Sequence, residues 1–106
     1  MLVFQQKFNN SVFYFKSNDK IHMDIKRVKT CINKYGRNCY FILCCYVYAG
    51  RPIFRYVNKQ LELCLCFSGE YAYVNKSDAE ADMEKLIGKH PNKVFEVVEL
   101  SHIENT

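Results

Sequence analysis

The stretch that most constrains the fold is "NCYFILCCYVYAGRPIFRY", residues 38–56. Residues 39–49 are eleven consecutive apolar side chains, interrupted by Gly50, Arg51 and Pro52 and followed by "IFRYV". A bilayer-spanning helix needs about 20 such residues, so the run is too short to be one. Its aromatic and β-branched content reads as a buried strand, a turn and a second strand. Started at Met23, the segment would imitate a secretory signal, basic then apolar then small at Ala49 and Gly50, but the given chain begins 22 residues earlier. Cys and Tyr are also unusual in a signal core, and "MLVFQQKFNN" has no basic region followed by an apolar run. A soluble, cytoplasmic chain without membrane contact is the expectation.

Around this hairpin the pattern changes period. Upstream, "LVFQQKF" and "SVFYFKS" flank Asn9 and Asn10 and read as a first hairpin or an N-terminal arm over residues 1–16. From Ser17 or Asn18, both suitable N-caps, Ile21, Ile25, Val28 and Ile32 recur at helical spacing with Cys31 alongside, and Gly36 offers a stop. Downstream, "QLELCLCFS" puts Leu61, Leu63, Leu65 and Phe67 on one strand face, which places the leucines inward. A short strand "YAYV" leads to Ser77, where "SDAE" reads as a capping box for a helix ending near Gly88 before Pro91. "KVFEVVEL" is the last strand. The fold class is α+β, a mainly antiparallel sheet with two helices packed on one face, in the approximate order ββ-α-ββββ-α-β. With 106 residues, 49% of them apolar, the chain has enough hydrophobic material for one core, so residues 1–106 read as a single domain.

The net charge of +4 conceals a division. Residues 1–60 hold eleven Lys and Arg against Asp19 and Asp24, a balance of +9, whereas residues 61–106 hold four Lys against nine acids, a balance of −5. Such a dipolar surface suits an acidic partner or self-association in opposite orientation, and a homodimer is expected on those grounds and from the aromatic sheet face. The alternative is a solvated face on each of two helices.

Six cysteines invite a metal reading. Zinc wants four convergent Cys or His ligands, commonly from turns such as C-x₂-C. Here the spacings are C-x₄-C-C and C-x-C within apolar runs, and adjacent Cys44 and Cys45 point to opposite sheet faces. Cys44 could share a face with Cys64 and Cys66, and His90 or His102 would complete a set only by an accident of the fold. Reduced thiols acting as small apolar packing groups are the preferred reading, with no metal and no cofactor. Enzyme signatures are missing: no P-loop, dinucleotide fingerprint, G-x-S-x-G or HExxH occurs. His22 lies about two and a half helical turns from Cys31, so those two cannot meet on one helix. A non-enzymatic protein is expected.

The segment "YAYVNKSDAEADMEKLIGKHPNKVFEVVEL", residues 71–100, resembles the C-terminal helix and strand of small bacteriophage and viral accessory proteins. The resemblance implies a host-directed binding protein, a modulator or inhibitor in the host cytoplasm, and transfers no catalytic residues. A protein partner leads. The alternative is RNA or single-stranded DNA, held by Lys20, Lys26, Arg27, Lys29, Arg51 and Arg55, with Tyr46, Tyr48 and Tyr56 stacking on bases. Tyr40 and Phe54 are expected on the same aromatic face, on the side of the sheet opposite the helices.

Overall fold

A computed structural model of the chain describes the backbone of residues 3–8, 11–16, 25–36 and 38–100, and side chains over 29–36 and 38–100. Val3–Phe8 (β1) pairs with Ser11–Lys16 (β2) as an antiparallel hairpin, with Phe8 opposite Ser11. The first helix, α1, is described from Ile25 to Tyr35. It stops where the sequence offers a glycine: Gly36 has φ +89° and its N–H reaches the Ile32 carbonyl at 2.7 Å, an αL cap that only a residue without Cβ adopts freely.

The expected central hairpin is present. Tyr40–Tyr48 (β3) and Arg51–Val57 (β4) pair antiparallel, with Tyr48 opposite Arg51. The turn itself is Ala49 and Gly50, with φ of +52° and +76°, as a two-residue type I′ loop requires. Arg51 and Pro52 therefore belong to the strand, although the sequence suggests that they break it. In such a hairpin the closing pair exchanges both hydrogen bonds, so alternation puts Pro52 opposite Val47 in a non-hydrogen-bonded pair. An N–H there would point away from β3, so proline removes nothing that β3 needs.

Two further strands complete a sheet of order β5-β4-β3-β6, all antiparallel: Leu63–Cys64 (β5) on β4 and Val94–Glu99 (β6) on β3. The leucine strand is thus only two residues long. Leu65 is exposed, and Phe67 joins the opposite side of the sheet from Leu63. The chain leaves the sheet after Cys64, which ends the alternation. "YAYV" contributes one bridge, Tyr73 to Tyr40, closed by hydrogen bonds of 2.8 and 2.6 Å. Because that bridge pins the chain, the second helix, α2 (Lys76–Lys89), starts earlier than the SDAE box suggests. Asn75 is its N-cap, and Ser77 lies within the first turn.

Strand alternation divides the core in two. Phe41, Leu43 and Cys45 face one side, together with Tyr56, Phe67, Val98 and Leu100, and with Cys31 and Ile32 from α1. Ile42 and Cys44 face the other side, with Val57, Tyr73 and Phe95, and with Ala79 and Leu86 from α2. The helices therefore serve opposite faces, not the single face expected from their order. β1 lies near β3 and β6 without pairing with either.

Candidate functional site

Hairpin register decides which candidate residues meet. Residues directly opposite on antiparallel strands share a face, so Tyr48 and Arg51 form one row, Tyr46 and Ile53 the next, and Cys44 and Arg55 the third. All lie on the α2 side of the sheet, at the turn end of the hairpin. Tyr48 is 71% exposed and Arg51 is exposed. Tyr46 and Arg55 are half-buried. Arg55 is not free to wander, because its guanidinium donates to the Phe54 carbonyl at 2.8 Å.

Tyr56 does not belong here. It sits opposite Leu43, only 2% exposed, packed among Phe41 and Phe67 with ring centroids 5.8 and 5.6 Å away. Phe54, opposite Cys45, is also on that side, and Tyr40 is half-buried at the far end of β3. The broad aromatic face expected from the sequence is therefore narrower, with Tyr48 at its exposed tip. Lys29 is exposed on α1, which serves the opposite face, and joins none of these residues. Lys20 lies outside the described residues. Lys26 and Arg27 fall within α1, but their side chains are outside those described.

Sequence reasoning missed Lys93. Its ammonium lies 4.7 Å from the Tyr46 ring centroid, on the β6 side of the hairpin. The signal was available in the register, since Cys45 pairs with Val94 and the next position outward is Tyr46 with Lys93. Arg55 and Lys93 flank Cys44, whose thiol burial pushes up to about 12 against the pull of both cations. Of Tyr46, Tyr48, Arg51, Ile53, Arg55 and Lys93, three are cationic and none is acidic.

The cysteines are divided between the two faces of the sheet. Cys44 faces α2, whereas Cys64, opposite Tyr56, faces the other side, so those two do not share a face. Among the described residues, no group of three or more His, Cys, Asp or Glu is placed to hold a metal ion. Cys31, Cys39, Cys44 and Cys45 are buried, and all six thiols are free. Burial pushes Cys39 and Cys45 up to about 12 as well and raises Cys31. A groove of about 540 Å³ opens between the end of α1 and residues 66–71, lined by Cys31, Lys34, Tyr35, Cys66, Phe67 and Glu70 among others. Two thiols line it, Cys31 buried and Cys66 exposed.

A second polar cluster ties the β4–β5 turn to α2. The Tyr73 hydroxyl donates to Asp82 at 2.5 Å, and the Lys59 ammonium lies 3.3 Å from the Tyr73 ring centroid. Lys85 pairs with Asp82 at 3.6 Å. These groups pair with one another, and the arrangement fastens two elements together. No helix among the described residues is long and apolar enough to cross a membrane. The chain matches no protein-family model, no curated protein and no solved structure.

Proposed function

We propose that the protein is a small non-enzymatic interaction protein that engages an anionic macromolecule through the turn end of the β3–β4 hairpin. The observation that carries this reading is the combination at that end: Tyr48, 71% exposed, stands beside Arg51, with Arg55 and Lys93 behind it and no acid in the rows. Large exposed aromatics among cations favour partner contact, because aromatic and Arg side chains anchor interfaces while costing little conformational entropy. The face sets cations around an exposed ring, whereas catalysis needs polar groups converging in a recess. The likeness of residues 71–100 to phage and viral accessory proteins supports a role as a modulator or inhibitor of a host macromolecule, acting in the host cytoplasm.

Amide chemical-shift mapping tests the reading. On addition of polyglutamate or of an oligothymidylate, perturbations are expected at residues 46–55 and 93. Perturbations confined to α1, or none at the hairpin with either polyanion, would overturn it.

A further inference from the structure

We propose that the hairpin end takes single-stranded nucleic acid, with a base stacked on Tyr48 and the sugar-phosphate chain held between Arg51 and Arg55 on one side and Lys93 on the other. The inference rests on the reading of this face as the partner site and names the partner's chemistry.

Three observations favour a nucleic acid over an acidic protein. First, the exposed apolar area here is essentially one ring: Ile53 is half-buried and Tyr46 already carries Lys93 over its face. A protein interface of ordinary strength has a dry apolar core of several side chains, whereas here a single ring is exposed. Sequence-tolerant single-strand binders stack bases on exposed aromatics beside cations that track the phosphate chain, and Tyr48 with its neighbouring cations offers one such step. Second, the cations are held in place. Arg55 is tied to the Phe54 carbonyl at 2.8 Å, which uses one of its five N–H donors and leaves the rest available. Lys93 is fixed over Tyr46 at 4.7 Å, so less side-chain freedom is lost when a phosphate arrives. Third, the spacing is that of an extended chain. Arg51 and Arg55 are four strand residues apart, about 13 Å at 3.3 Å per residue, with the Tyr48 and Tyr46 rows beside them, a length suited to about two nucleotides. A duplex keeps its bases stacked and would offer Tyr48 nothing to stack on.

Fluorescence anisotropy with a labelled oligothymidylate, an oligouridylate, a duplex of equal length and polyglutamate tests the proposal. Both single strands should bind more tightly than the duplex or polyglutamate. With up to three phosphates neutralised, log K should fall with log salt at a slope of about −2. Tyr48→Ala should weaken binding by about tenfold at an unchanged salt slope, since it removes stacking and no charge. Arg51→Glu with Arg55→Glu should lower affinity and flatten the slope. Lys76→Glu, at the Tyr40 end of the sheet where α2 begins, should change neither. Tyr48 and Arg51 are exposed, and far-UV circular dichroism of each variant verifies that it is folded. Equal binding of polyglutamate with an unaffected Tyr48→Ala variant would overturn the nucleic-acid proposal and leave the anionic-partner face standing. Failure of the folded wild type to bind any of the four polyanions would overturn both. A Lys76→Glu variant as weak as the double arginine variant would show diffuse attraction and overturn the stacked site.

Discussion

Tyr73 holds three partners: it bridges Tyr40 through the backbone, donates its hydroxyl to Asp82, and carries the Lys59 ammonium over its ring. Tyr73→Phe keeps the ring and the cation contact and leaves Asp82 its Lys85 pair but not the hydroxyl, so urea denaturation should show a loss of about 1 kcal/mol. Thiol reactivity offers a second check at this scale. Ellman's reagent should label exposed Cys66 first and half-buried Cys64 next, whereas Cys31, Cys39, Cys44 and Cys45 should react only after unfolding, because burial holds their thiols protonated. Glu96 gives a pH signature. It sits opposite Leu43 and between Val94 and Val98 on its face, and burial raises its carboxyl above the ordinary carboxylate value. The folded state then binds a proton more tightly than the unfolded state, so the carboxylate costs stability as pH rises through its folded value. Glu96→Gln should therefore be more stable than the wild type at pH 7 and indistinguishable from it at pH 3, read from denaturation midpoints at the two pH values.

Among the elements, the central hairpin was legible because two apolar runs flank a short interruption, and the Gly36 stop was legible because a helical pattern ends on glycine. The turn was read as Gly50 to Pro52 where it is Ala49 and Gly50, since Pro52 reads as a breaker until one knows that its position points away from β3. That displacement also explains the misassigned Tyr56. Strand parity across a hairpin depends on loop length, and only a loop of Ala49 and Gly50 puts Tyr56 opposite Leu43 while Arg51 stands opposite Tyr48. The shared face of Tyr46, Tyr48, Arg51 and Arg55 follows from the same parity. Lys93 was invisible to local pattern because its neighbour Tyr46 is 47 residues away in sequence, brought close only by the β3–β6 pairing. The leucine alternation of residues 61–67 misled because period 2 describes a strand only while the chain stays in the sheet. One element-scale prediction follows from the turn. Ala49 occupies a left-handed position that asparagine tolerates better, so Ala49→Asn should raise stability by about 0.5–1 kcal/mol in thermal or chemical unfolding.

For the whole molecule, the two helices on opposite faces and the division of charge bear on assembly. The open edge of β4 is a poor template for another strand: Pro52 lacks a donor there and Arg55 occupies the Phe54 carbonyl. The homodimer proposal rests on charge, the basic residues 1–60 of one copy against the acidic residues 61–106 of another, and predicts salt-sensitive association. Light scattering should report a dimer at low ionic strength that dissociates at high ionic strength, and a monomer at both across a wide concentration range would remove the proposal. The division of the core has a further consequence. Phe41 to Cys45 are buried whichever way they point, so β3 offers no polar side whose burial would penalise slippage by one position. Where one face of a strand is wet, pairing errors are punished by exposing apolar groups; here they would exchange one set of apolar groups for another. Alignment of the sheet must then be enforced at its ends, by the length of the Ala49–Gly50 loop and by the Tyr40–Tyr73 bridge. A residue inserted into that loop would do more than lengthen a surface turn: it would remove the gauge by which β3 and β4 find their match and leave the chain several near-equivalent ways to pair.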